Sequence, residues 1–252
     1  MAKFHNFTSI VIGLLFLAVL QTFSNPSPIF RFLIIALILL LALVTYYNWR
    51  YLKEIQKYNI WLLIRPILLM LSGFGLFLSI PNPAIRSMFL IITVFVIAFF
   101  EAFIGKFAEN LLINETLVIA FGAFLSIFEA YFYAPFIGKP LVSFLYLLGF
   151  FLFVVLITRS FYEFAPKSVK IKWLASLIIS LLSTEFLWAL SFLYFHFSVL
   201  AFLLFNFYYF CLILNYYYYF NTLNAKKIQF HLAFIFFSSL LVLLATPWKI
   251  IS

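Results

Sequence analysis

Aspartate is absent: all seven acidic residues of the 252 are glutamates, and no two of them are adjacent. Prenyltransferases and lipid phosphotransferases that hold magnesium on aspartate-rich motifs are thereby excluded, and so are aspartyl proteases. Cysteine occurs once, at Cys211, and histidine three times, at His5, His196 and His231, in separate segments without metal-ligand spacing. Neither a structural disulfide nor a clustered metal site is expected. Neither G-x-S-x-G nor G-x-x-x-x-G-K-[ST] occurs, which removes sequence support for a serine hydrolase or a nucleotide-driven motor. No cofactor and no metal are expected. Charge is scarce as well, at 9% of residues. No polar segment exceeds about fifteen residues, too short for a soluble catalytic domain in a loop.

What is present is oil. Hydrophobic residues make up 67% of the chain, and apolar runs of about 20 residues recur throughout. Such runs are too continuous for the alternating strands of a barrel, and backbone polar groups cannot go unpaired in hydrocarbon, so each run reads as a helix. The expected architecture is all-α, a polytopic transmembrane helix bundle forming a single integral membrane domain over 1–252. Candidate helices fall at 7–23, 29–47, 60–80, 86–104, 116–134, 141–158, 173–194, 198–219 and 230–247. SNPSP, PNP, APFIGKP and Pro166 lie between runs, where helix breakers belong.

Lysine and arginine set the expected orientation. Alternate connections carry Lys3; Arg50, Lys53 and Lys57; Lys106; Arg159, Lys167, Lys170 and Lys172; and Lys226 and Lys227, eleven in all. The opposite side carries four, Arg31, Arg86, Lys139 and Lys249. The amino terminus is therefore expected in the cytoplasm and the carboxyl terminus outside, in a bacterial plasma membrane. Lys3 followed by IVIGLLFLAVL has signal-peptide character, but no A-x-A site follows, so the first helix is expected to be retained.

The net charge of +9 is spread over short connections on one face of a membrane. Its expected partner is the bilayer, with anionic headgroups on the cytoplasmic side, and not nucleic acid. Arg50, Lys53 and Lys57 in NWRYLKEIQKYN, and Arg159, Lys167, Lys170 and Lys172 in RSFYEFAPKSVKIK, read as interfacial lipid-binding anchors. In NFYYFCLILNYYYYFN, Tyr216 to Tyr219 close the eighth helix just before Lys226 and Lys227 and read as an aromatic belt. Asn215 reads as a hydrogen-bonding link between helices.

Ionisable residues inside helices are the candidate sites, since each costs about 2.5 to 3.5 kcal/mol or more at mid-bilayer if unpaired. Glu129 and Glu185 come out at nearly one depth at about 1.5 Å of rise per residue. Each adjoins a ridge of small residues: Gly122, Ser126 and Ala130 beside Glu129, and Ser176, Ser180 and Thr184 beside Glu185. Two carboxyls buried together would share a proton, the basis of a proton or cation site. Trp188, three residues after Glu185, can donate its indole N–H to that carboxyl. Arg65 and Glu101 form a second candidate, an ion pair beside the helix-breaking Pro66.

The segment TEFLWALSFL, Thr184 to Leu193, resembles a stretch of uncharacterised bacterial multi-pass integral membrane proteins; the resemblance implies no activity. Three readings of function stay open. One is a transporter-like or flippase-like protein for a small or lipidic substrate, using Glu129 and Glu185. Another is a non-catalytic scaffold or assembly subunit. The third is a membrane-embedded enzyme on a lipid-linked substrate, with Glu163 among Arg159, Lys167 and Lys170 as base and phosphate clamp. The charge bias generates a direct test: reporter fusions in the connection 159–172 should read cytoplasmic, and fusions after Trp248 external. An external reading at 159–172 would invert the assignment.

Overall fold

The computed structural model describes residues 2–23, 30–57, 59–80, 82–104, 109–133, 140–163, 165, 167–193, 195–219 and 224–246. Among these are nine helices: α1 (Ala2–Phe23), α2 (Phe30–Glu54), α3 (Ile60–Leu78), α4 (Pro83–Ala102), α5 (Glu109–Tyr133), α6 (Pro140–Tyr162), α7 (Val169–Leu190), α8 (Phe197–Tyr219) and α9 (Ala225–Ala245). Eight are long and apolar enough to cross a membrane, while the apolar stretch of α1, Phe7–Thr22, is shorter. The chain is a multi-pass membrane protein.

Every candidate helix has a counterpart, but several run further than their apolar cores. α2 continues through Arg50 and Lys53 to Glu54, α5 starts at Glu109, and α6 ends at Tyr162. The reason is that hydropathy marks where hydrocarbon ends, whereas a helix ends at a cap or a breaker. Caps do fix several ends. Asn59 accepts from the Trp61 N–H and Asn82 from those of Ala84 and Ile85, with Pro83 opening α4; Asn224 accepts from Lys226. Beyond α2, Gln56 has φ 54°. The Lys57 N–H reaches back to the Leu52 carbonyl, and that of Gln56 to Lys53, the Schellman pattern usually given to glycine.

The chain clusters into two compact units, Met1–Ala123 and Phe124–Ser252. In the first, α1 packs on α4, α2 and α3, and α3 also packs on α2 and α4. The buried stripe of α1 is His5, Ser9, Ile12, Phe16 and Leu20, at the three- and four-residue spacing of one helix face. Gly13 lies against Val94 and Ala98, and Gly73 against Thr93, Phe16 and Ile97. In the second unit α6 packs on α7, α7 on α8, and α8 on α9. The α7 face turned inward is Ser176, Ser180 and Ser183, all buried. Small residues at such contacts are what lets helices approach where lipid tails are as apolar as leucine.

The α8–α9 contact is polar. Asn206 donates to Ser238 at 3.1 Å and to Ser239 at 2.8 Å. His231 is held by the Tyr209 hydroxyl at 2.7 Å and the Tyr217 hydroxyl at 2.9 Å. Two expectations change here. Asn215 bonds the Cys211 carbonyl of its own helix at 2.9 Å, so the link between helices is Asn206. Of the tyrosine run only Tyr218 is exposed; Tyr217 holds His231, and Tyr219 packs edge-on to Tyr162 at 5.1 Å. Four successive residues point all around a helix, so a run beside a neighbouring helix cannot all face headgroups.

In the first unit α3 also meets α5 closely at Ser72. Ser72 donates to the Ile119 carbonyl at 2.8 Å. A Cβ on Gly122 would overlap the Ser72 hydroxyl and lie 3.1 Å from the Ser72 carbonyl oxygen. Gly122→Ala should therefore destabilise the protein by about 1–3 kcal/mol, read as a lower melting temperature in detergent. Gly149→Ala, where a Cβ meets nothing within 4 Å, is the silent control.

Candidate functional site

The first unit concentrates charge in a place the hydrophobic pattern does not advertise. Arg65 is buried on α3, and its guanidinium turns to α5. Nε and Nη2 both reach Glu115 Oε2 at 2.7 Å. Nη2 also donates to the Leu112 carbonyl at 2.9 Å and the Thr116 hydroxyl at 3.2 Å. Side-chain exposure is 3% for Arg65 and 12% for Glu115, so this ion pair is held largely out of solvent. A desolvated guanidinium needs this many acceptors in a low dielectric.

Glu101, near the end of α4, is buried in the same unit. Asn48 of α2 donates to its Oε2 at 2.9 Å. Its backbone carbonyl accepts from His5 Nε2 of α1 at 2.9 Å, and His5 Nδ1 meets the Tyr47 hydroxyl at 3.1 Å. The imidazole lies flat on Tyr51, ring centroids 3.7 Å apart. Because a carbonyl can only accept, Nε2 carries a proton. Glu101 therefore anchors α1, α2 and α4 to one another.

Arg65, Glu101 and Glu115 together line a cavity of about 30 Å³, with Leu62, Pro66 and Phe100 among its walls. That is room for one or two water molecules. The cavity borders the turn of α3 in which Pro66 removes the backbone donor to Leu62. Among the described residues, two of the lining side chains have a buried polar atom without a hydrogen-bond partner: Arg65 Nη1, a donor, and Glu101 Oε1, an acceptor when ionised. With Arg65 positive and both glutamates ionised, the centre carries one negative charge too many.

The ion pair expected between Arg65 and Glu101 is corrected: the partner of Arg65 is Glu115, and Glu101 takes Asn48. The apolar run read at 116–134 stopped one residue short of Glu115. His5, Asn48 and Tyr47 were also missed, since nothing in one sequence links an N-terminal histidine to the end of a fourth helix. A basic residue inside an apolar run, needing a partner on another helix, was the available signal.

The other candidates fare differently. Glu129 is half-buried, and Glu185 is exposed on α7. No hydrogen bond or ion pair joins them among the described residues. Ser183 faces inward, and two residues further at about 100° each Glu185 has turned roughly 200° away. Trp188 is exposed too, edge-on to Phe192 at 5.2 Å, and no hydrogen bond from its indole to Glu185 is present among the described residues. Ser126 is half-buried, and Thr184 bonds the Ser180 carbonyl at 2.7 Å.

Of the cationic anchors, Arg50, Lys53, Lys57 and Lys170 are exposed and Lys167 half-buried. Arg50 pairs with Glu54 at 3.4 Å, and the Lys53 ammonium lies 5.3 Å from the Trp49 ring centroid. Arg159 and Lys172 depart from the expectation, being buried. Arg159 binds the Glu163 carboxylate and lies over the Trp173 ring at 5.4 Å; Lys172 donates to the Glu163 carbonyl at 2.6 Å. These two close the α6–α7 connection from within. No group of three or more metal-ligating side chains is found among the described residues.

Compared with protein-family models, with curated proteins and with solved structures, the chain matches none. The resemblance carried by TEFLWALSFL accordingly leads to no family. Removing one partner of the buried pair should be far worse than removing both. Arg65→Leu should cost about 3–5 kcal/mol of stability, by leaving Glu115 uncompensated, and adding Glu115→Leu should recover a large part. Equilibrium unfolding in mixed micelles measures both; additive losses would refute the coupling.

Proposed function

We propose that this multi-pass membrane protein is transporter-like and handles a small, ion-sized polar species at the Arg65–Glu101–Glu115 centre. The supporting observation is the cavity itself: three ionisable side chains around one small space, two of them with a polar atom left without a partner. Packing alone would be served at lower cost by apolar side chains, because charge buried among apolar helices is expensive. A volume of about 30 Å³ suits an ion-sized species and not a lipid headgroup, which favours the transporter-like over the flippase-like form. In this reading the amino terminus is cytoplasmic, the membrane is the bacterial plasma membrane, and Arg50, Lys53 and Lys57 rest on anionic headgroups.

The scaffold reading draws on the many bonds of the same centre, in which Arg65, Glu101 and His5 tie five helices together. The enzyme reading loses ground, since the Glu163 carboxylate that would act as base is already held by Arg159.

Transport is tested in proteoliposomes by light scattering after a hyperosmotic jump, with sodium chloride, potassium acetate, urea and glycerol as permeants. A fluorescent phosphatidylglycerol with dithionite quenching supplies the lipid arm. Wild-type vesicles should reswell faster than protein-free vesicles with at least one solute. Arg65→Gln combined with Glu115→Gln, which removes both charges together, should abolish most of that excess. No permeation of any solute by wild type, with variants altering only melting temperature, would leave the scaffold reading in its place.

A further inference from the structure

The geometry points to Glu101 as a reversible proton carrier whose proton rides on Oε1 and is exchanged with water in the cavity beside Arg65. This rests on the reading of the centre as functional and names the ion it would handle.

The two oxygens of Glu101 are not equivalent. Oε2 is taken by the Asn48 amide, a donor at 2.9 Å, and a protonated oxygen is a poor acceptor for an N–H. A proton therefore belongs on Oε1, the oxygen without a partner. Glu101 lines the cavity together with Arg65, whose Nη1 also needs an acceptor. One water answers both demands. With Glu101 ionised, that water accepts from Nη1–H and donates to Oε1. With Glu101 protonated, it accepts from both, as its two lone pairs allow, and turns its own hydrogens toward other acceptors such as Glu115. The proton arrives from hydronium at the aqueous phase and leaves by the same species, so no other co-reactant is involved.

Charge explains why the group should titrate. Arg65 and Glu115 neutralise each other at 2.7 Å, leaving Glu101 as the surplus carboxyl of the centre. Among the described residues, the titratable and charged groups around it are His5 of α1, with Tyr47 and Tyr51 of α2 against its imidazole, Arg65 of α3 and Glu115 of α5. Arg65 is already committed to Glu115. Ionised Glu101 thus meets one cation already shared with another carboxylate. Protonated Glu101 leaves the centre neutral, and the two states differ by one charge in a nearly dry site.

The test is infrared difference spectroscopy of the purified full-length protein in nanodiscs, titrated between about pH 5 and pH 10. Wild type should show a protonated-carboxyl C=O band that fades as pH rises. The band should be missing in Glu101→Gln and kept in Glu129→Gln and Glu185→Gln. Asn48→Leu provides a second arm that does not depend on the glutamine variant folding. Losing a donor to Oε2 disfavours the carboxylate, so the band should persist upward by about one pH unit. A band that survives Glu101→Gln, a midpoint unmoved by Asn48→Leu, or no titrating band in wild type overturns the assignment. A titrating Glu101 in a protein that passes no solute removes the transporter reading alone, whereas solute flux without a titrating Glu101 removes only the proton.

Discussion

The burial of Arg65 is the constraint around which the first unit is arranged. A guanidinium cannot lose its charge in a protein, and hydrocarbon offers it neither water nor counter-ion. Among the described residues, every acceptor it uses comes from α5: the Glu115 carboxylate, the Leu112 carbonyl and the Thr116 hydroxyl. The amino-terminal part of α5 must then lie beside α3. Gly122 permits it, because two turns further along the contact a side chain would strike Ser72. Charge pairing sets the register of the two helices, and the missing side chain sets their distance.

A second layer of polar bonds grows from Glu101. It draws in α2 through Asn48 and α1 through His5, whose imidazole stacks on Tyr51 and bonds both the Glu101 carbonyl and the Tyr47 hydroxyl. Pro66 lies next to Arg65 and interrupts the backbone ladder of α3 where the cavity opens. Fixed charge, an interrupted helix and a small polar space coincide within one turn. The second unit holds itself differently. Its polar contacts are neutral, Asn206 with Ser238 and Ser239 and His231 between two tyrosines, or close the α6–α7 connection through Arg159, Glu163 and Lys172. Its α9 has no buried residue in its span and a row of exposed phenylalanines, including Phe230, Phe236 and Phe237, a surface suited to lipid.

Helix number and class could be read directly from the chain because the bilayer imposes them residue by residue: a span needs a run of apolar side chains whatever its neighbours are. That criterion weakens at the margins. The run read as 29–47 is a helix to Glu54, and the run read from 116 begins at Glu109, since a helix crosses the headgroup region while hydropathy drops. A start drawn one residue too late concealed Glu115 and left Arg65 matched to the wrong carboxylate. Glu185 failed for another reason. Its depth was legible, but depth does not give azimuth, and only packing on Ser176, Ser180 and Ser183 decides which face of α7 turns outward.

By itself the sequence determined that this is an all-α, multi-pass membrane protein and that Arg65 and Glu101 are charges in need of an explanation. The tertiary structure alone decided their partners, the cavity between them, and the burial of Arg159 and Lys172 where exposed anchors were expected. The division follows from the range of the forces. Insertion into hydrocarbon is a sum over consecutive residues and is written along the chain. A hydrogen bond of 2.7 Å between Arg65 and Glu115, fifty residues apart, depends on which helix faces lie against each other, and that is settled only when the bundle packs.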